Sequence, residues 1–455
     1  MPLTLTDVLQ GSGGKLASGH QGQVTFQRAV IDSREVRDGD LFIALKGERV
    51  DGNDFIPHAI ANHAAGIVSN RPPGAIPNRV AFVEVPDTLK ALQDVGRYKL
   101  SQVKPTVVGI TGTVGKTSTK EAVAGALSHK HHVLKTERNL NTEIGVPLNL
   151  LRLETEHDMA VLEMGMYVPG DIAFLAELTH PHVGVVTGVS YTHAERVGTI
   201  ERIAEAKAEM VDGLRPDGIA VLNGDNSWTA AMANRGKRSL LFGLGENNDV
   251  RAVDVESHGL NGISLTISHA GQSERLDLKF IGKHSAYHAL AAAAVMLALG
   301  DSLADAAEAL MASPTESLRL RVLPGKGGIT VIDDSYNSSP IAAKAALQLL
   351  HELPGGHIAV LGDMRELGQY SAELHRQVGQ EAASLAELVV TVGQEAREIA
   401  NGAQQAGMPA GNLFATTEPD QAVEFLASRL HAGDHLLIKG SRAMGLETIV
   451  QAFTE

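Results

Sequence analysis

Cysteine is absent from all 455 residues, which rules out disulfides, thiolate nucleophiles and cysteine–zinc sites together. That absence is compatible with a reducing compartment. Positive charge is also scarce: the formal net charge is -14 and aromatics make up only 4% of the chain. A sequence-independent nucleic-acid binder needs a basic surface and benefits from stacking aromatics, so that class is set aside. Long apolar runs are missing too. The most apolar stretch, AYHALAAAAVMLALG (Ala286 to Gly300), is too short and too alanine-rich to span a bilayer and reads as a buried helix. The opening MPLTLTDVLQGSGGK has no cationic segment followed by an apolar one, so no signal peptide is expected. A cytoplasmic enzyme without membrane insertion is the default class.

What is present is ordinary for a large soluble core: 44% hydrophobic and 20% charged residues. The length suggests about three domains. The sequence divides at SQVKP, near Lys104, and at Ser313-Pro314, giving an N-terminal domain (1–103), a central domain (104–313) and a C-terminal domain (314–455). The first mixes short strands and helices. In the second, VVGIT, MAVLEM, VGVVTGV and GIAVLNG separate helical patterns, as in a mostly parallel sheet covered on both faces. GITVIDDS, HIAVLGDM, LVVTVG and HLLIKGS repeat that alternation and suggest a second doubly wound unit. The fold class is α/β throughout.

The stretch VVGITGTVGKTSTKEAV, from Val107 to Val123, passes from β-branched residues to a helix-forming run through a glycine-punctuated turn. A lysine at a helix start opposes the helix dipole unless an anion sits there. Gly112, Thr113, Gly115, Lys116, Thr117 and Ser118 form the short Gly-x-x-Gly-Lys-Thr version of a phosphate loop, with Thr117 placed to reach Mg²⁺. The plain alternative is a strand-to-helix turn with a surface lysine. No Asn-Lys-x-Asp segment supports guanine recognition.

Ligands in open parallel sheets gather beyond the carboxyl ends of strands. Glu163 ends MAVLEMG, and His193 and Glu195 follow VGVVTGV. Alone, Glu163 is equally a cap or surface residue, His193 a satisfied loop histidine, and Lys207 in AEAKAEM a solvated helix lysine. With a phosphate loop upstream, a hard-cation site from Thr117, Glu163 and His193 becomes reasonable. Asp333 and Asp334 close a strand in VIDDSYNSSP, with Arg319 upstream, which suggests a cleft closing between two domains.

Taken together, DSREVRDGDLFIALKGERVDG, VLEMG, DDSYN, VLGDMRELG and KGSRAMGLE resemble the Mur ligases, the ATP-dependent amide ligases that build the peptidoglycan peptide. The resemblance runs nearly end to end. It is strongest to the branch that adds D-alanyl-D-alanine to UDP-N-acetylmuramoyl-tripeptide through an acyl phosphate.

By that resemblance the central domain is P-loop ATPase-like and the C-terminal one Rossmann-like. Lys116 would hold the ATP phosphates, Thr117 and Glu163 a first Mg²⁺, and His193 a second. Lys207 would be carbamylated and support that second metal. Asn139, His284, His288, Arg319 and Asp334 would face the nucleotide. Ser33, Arg34, Lys46 and Asn141 would contact the UDP substrate. Lys116, His193 and Lys207 form the implied catalytic set, and a monomer is expected.

The pattern also departs from the family. Thr142, Gly188, His288 and Ser339 stand where asparagine is usual, which leaves a different amine acceptor, or a non-catalytic nucleotide-binding relative, as alternatives.

Overall fold

The computed structural model describes residues 2–17, 22–72, 74, 76–313 and 320–454. It contains three substantial sheets, one in each third of the chain.

The first has five strands in the order Lys15–Leu16, Ala81–Glu84, Gly66–Ser69, Leu41–Ile43, Ala29–Val30. All pairs are parallel except the one made by the Lys15–Leu16 edge. Helices Leu5–Ser12 and Thr88–Val103 bury Val8, Leu92 and Val95 against Phe26 and Val83. Asp87 caps the longer helix by accepting from the N–H groups of Leu89 and Lys90. That helix runs through Ser101–Val103, so the SQVKP segment is not a free linker. Lys104 ends the helix in the left-handed conformation, and Pro105 cannot extend it.

The central sheet has nine strands. Seven are parallel, in the order Val133–Lys135, Met159–Glu163, Thr106–Thr111, Val183–Val186, Ile219–Asn223, Arg238–Gly243, Val250–Ser257. Strands Ile263–His269 and Gln272–Leu278 extend it in antiparallel fashion. Only Ala270 and Gly271, both at positive φ, join those two strands. Such a tight turn makes a hairpin, whereas a parallel crossover needs a dozen residues or more. Helix Ala286–Leu299 is buried as expected, its alanines packing closely against helix Lys116–Leu127.

The third sheet has six strands in the order Arg321–Pro324, Thr330–Asp334, His435–Lys439, His357–Gly362, Leu388–Val392, Leu413–Thr416, antiparallel only at its first pair. Helices Pro340–His351 and Ser371–Leu385 cover one face, and Pro419–Ala427 and Glu447–Phe453 the other. Strand order reverses around His435–Lys439, the place where doubly wound sheets open a crevice. Among the described residues no helix is long and apolar enough to cross a membrane.

Candidate active site

The phosphate loop leaves strand Thr106–Thr111 and ends at helix Lys116–Leu127, whose N-cap, Gly115, takes φ 84°. No side chain caps that helix start. A side chain at Gly112 would collide with the neighbouring strand end: a Cβ there would lie 2.0 Å from Thr187 Oγ1. That hydroxyl donates to Val114 O at 2.6 Å and pins the loop from the neighbouring strand end. Thr113 is held by Gly188 O and by the Ser190 hydroxyl. Lys116 Nζ curls over the loop, donating to Gly112 O at 2.7 Å. The turn is thus prefolded around its lysine.

A cavity of about 1070 Å³ opens over this loop, between the central and C-terminal sheets. Thr113–Thr119, His284 and His288 line one wall; Asp334, Ser339, Ile341 and Lys439 line the other. His288 Nδ1 lies 3.0 Å from Thr119 Oγ1, and burial pushes its pKa down to about 3, so the ring is neutral. Its edge still reaches the cavity. Ser339 caps helix Pro340–His351 by accepting from Ala342 N–H, a role that serine fills as well as asparagine. Asp334 is paired with the buried Lys439, Nζ to Oδ2 at 2.6 Å. Arg319 lies outside the described residues. Arg321, two positions on, lines the cavity and pairs with Asp333.

Beside the loop lies a set of buried polar groups. Glu163 takes its backbone hold from the Thr136 hydroxyl and accepts from Asn141 Nδ2 at 2.8 Å through Oε1. Its Oε2 is buried with no hydrogen-bond partner among the described residues. Lys207, on helix Ile200–Asp212, is fully buried, and its Nζ also lacks a partner there. Burial, aided by the charge of Lys116, holds its pKa well below the usual lysine range. A solvated surface lysine is therefore excluded.

His193 sits at φ 76° with Nδ1 2.6 Å from Glu366 Oε2. The carboxylate approaches off the ring N–H axis, so the two groups touch without an aligned hydrogen bond. Burial lowers the His193 pKa despite that carboxylate, leaving a neutral ring suited to metal ligation. Lys116 acts electrostatically on His193, Lys207 and Glu366, which places all four in one neighbourhood.

Among the described residues no three His, Asp or Glu side chains converge as a protein-only metal cage. A cation here would need phosphate oxygens or a modified Lys207 as further ligands. The orphaned Glu163 oxygen and the enclosed, unpartnered Lys207 amine, which burial disfavours as an ammonium, fit that requirement.

The substrate-side residues lie elsewhere. Ser33 is buried, its Oγ 3.0 Å from His58 Nδ1 and its carbonyl accepting from Asn62. Arg34 is exposed and gripped by Asp32, Nη2 to Oδ2 at 2.6 Å. Lys46 is exposed, bridged through its backbone to Asp51. Asn139 is exposed, does not line the nucleotide-sized cavity, and accepts from Asn141 N–H through its carbonyl. Two residues escaped sequence reasoning, Glu366 and Lys439. Each lies inside a quoted motif, VLGDMRELG or KGSRAMGLE, but its partner, His193 or Asp334, stands far earlier in the sequence.

This geometry has close counterparts. Residues 110–296 match the Mur ligase middle domain, 318–442 the Mur ligase glutamate ligase domain, and 26–99 the Mur ligase family catalytic domain. UDP-N-acetylmuramoyl-tripeptide–D-alanyl-D-alanine ligase of Bacillus subtilis is 33% identical over 455 residues, covering 99% of this chain and 98% of that one. The chain belongs to the Mur ligase family. Among solved Mur ligase structures, MurF from Acinetobacter baumannii superposes with a TM-score of 0.88 at 31% identity, covering 99% of this chain and 98% of its own. MurF from Thermotoga maritima in complex with ADP gives 0.79 at 32% identity, covering 93% and 96%.

Proposed function

We propose that this Mur ligase joins D-alanyl-D-alanine to UDP-N-acetylmuramoyl-tripeptide at the expense of ATP. The products are the pentapeptide precursor of peptidoglycan, ADP and phosphate. The observation that carries the reading is a fully buried, unpartnered Lys207 amine, its pKa held well below the usual lysine range by burial, beside a lysine-bearing phosphate loop. The high-coverage relatives favour this acceptor over a divergent one and over a non-catalytic role. The enzyme would work in the cytoplasm as a monomer.

A carboxylate is a poor electrophile, so an oxygen of the tripeptide's terminal carboxylate attacks the γ-phosphorus of ATP and ADP leaves. The dipeptide amine then attacks the acyl phosphate, and phosphate departs carrying the carboxylate oxygen. Lys116 offsets negative charge where two anions meet. Mg²⁺, when bound, supplies further neutralisation of the phosphates. Thr117 and Glu163 would hold one ion and His193 a second. Lys207, as a neutral amine, takes up CO₂ and loses a proton to become a carbamate that supports the second. The cavity walls carrying His284, His288 and Asp334 would receive the nucleotide. Residues 1–103, with Ser33, Arg34 and Lys46, would receive the UDP end, with Asn139 and Asn141 near the join. Units 104–313 and 314–455 would close on ATP and dipeptide.

The test is phosphate release across acceptor amines. Release should require both the tripeptide nucleotide and D-alanyl-D-alanine, and vanish in Lys116→Ala while its melting temperature is kept. Equal release with unrelated amino acids would refute the acceptor assignment.

A further inference from the structure

His193 belongs to the central unit, yet the group nearest its Nδ1 comes from the C-terminal one. Glu366 lies in the loop after strand His357–Gly362, and that loop is built to hold it. Asp363 Oδ1 accepts from the N–H groups of Glu395 and Ala396 at 3.0 and 2.8 Å. Met364 N–H donates to His375 Nε2 at 2.9 Å, and Arg365 N–H donates to Ser441 Oγ at 3.0 Å. Glu366 itself is left-handed, φ 68°, a conformation a non-glycine residue takes only when its surroundings enforce it.

The loop then docks on the central unit. Glu195 N–H donates to Glu366 O at 3.2 Å. Arg196 Nη2 is 3.7 Å from Glu366 Oε1, and the Tyr191 and Tyr370 rings pack 4.5 Å apart. The approach is so close that a Cβ at Gly368 would lie 2.9 Å from Glu195 Cα.

We propose that Glu366 is a positioning residue: closure of the C-terminal unit brings its carboxylate onto His193 Nδ1, fixing the tautomer that leaves the lone pair on Nε2. A histidine that ligates a metal commonly donates its other ring N–H to a carboxylate, which sets ring orientation and basicity. Here that carboxylate arrives from another unit, so the metal site is completed only when the units close. The off-axis approach tightens as substrates draw the units together, as hydrogen bonds of unliganded sites do. This inference rests on His193 being a metal ligand.

The test compares Glu366→Ala with Glu366→Gln, whose amide oxygen still accepts from Nδ1–H. The Mg²⁺ concentration for half-maximal activity should rise about tenfold or more in Glu366→Ala. It should stay near the unmutated value in Glu366→Gln, with KM for the dipeptide little changed in both. Independently of turnover, ¹⁵N resonances of labelled histidine, assigned with His193→Asn, should show one tautomer at His193 in the unmutated and Gln enzymes with nucleotide and Mg²⁺. Glu366→Ala should show a mixture. An unaltered Mg²⁺ requirement and tautomer in Glu366→Ala would overturn the proposal, as would equal damage from both variants. If His193→Ala leaves the Mg²⁺ requirement unchanged, the metal role of His193 fails and the proposal fails with it. A raised requirement in His193→Ala beside a normal Glu366→Ala refutes the positioning role alone.

Discussion

Asn141 donates its side-chain amide to Glu163 Oε1 at 2.8 Å and so holds the carboxylate with its other oxygen, buried and unpartnered among the described residues, turned away from the amide. Removing the amide frees the carboxylate to rotate. Asn141→Ala should therefore raise the Mg²⁺ needed for half-maximal activity roughly ten-fold, the usual cost of losing a group that orients a metal ligand. A Mg²⁺ titration of phosphate release checks this; an unchanged titration curve would separate Glu163 from the metal.

Lys207 is the residue whose bland and functional readings diverge most. A buried ammonium without a partner is costly, and it is the neutral amine whose lone pair attacks the carbon of CO₂. Lys207→Ala should be nearly inactive, and short carboxylates added to the assay should restore part of the turnover by standing in for the carbamate. Stripping CO₂ from the unmutated enzyme should lower its rate. Full activity in Lys207→Ala would refute the modification.

Lys439 and Asp334 form an ion pair at the cavity wall with Lys439 only 2% exposed. Taking away one partner strands the other. Lys439→Met should cost about 2–4 kcal/mol in urea unfolding of the C-terminal unit, the lower end reflecting water that reaches Asp334 from the cavity. Lys439→Met with Asp334→Asn should recover part of that loss. Additive losses in the double variant would show that the two side chains do not support each other.

Acid should destabilise the protein through its buried neutral histidines. His288 falls from 6.5 to about 3 on folding, chiefly by burial. Below pH 6.5 the unfolded chain therefore binds more protons than the folded one, and stability drops as pH falls toward 3; above 6.5 this group contributes no slope. His193 and His375 shift the same way. His288→Asn should lose about 1 kcal/mol less than the unmutated protein between pH 7 and 5, the cavity water moderating a larger ideal value. Parallel stability–pH curves for the two proteins would contradict this.

How much of this could be read from the chain depends on how local each signal is. The phosphate loop was legible because its glycines, lysine and flanking strand and helix are consecutive, and the Thr106–Thr111 and Lys116–Leu127 elements follow that pattern. The alternating strands of the last third were legible for the same reason. The antiparallel extension at Ile263–Leu278 was not anticipated, although Ala270-Gly271 between two alternating runs was the available cue. Lys207 gave no local warning: its burial follows from where helix Ile200–Asp212 packs against the sheet. Glu366 and Lys439 likewise acquire meaning only through contacts made by folding, one with His193 across two units and one with Asp334 across neighbouring strands.

The most direct measurement follows oxygen. Supplying UDP-N-acetylmuramoyl-tripeptide labelled with ¹⁸O in its terminal carboxylate, together with ATP, Mg²⁺ and D-alanyl-D-alanine, should yield the pentapeptide and phosphate carrying one ¹⁸O atom for each amide formed. Unlabelled phosphate, or phosphate released without pentapeptide, would contradict ligation through an acyl phosphate.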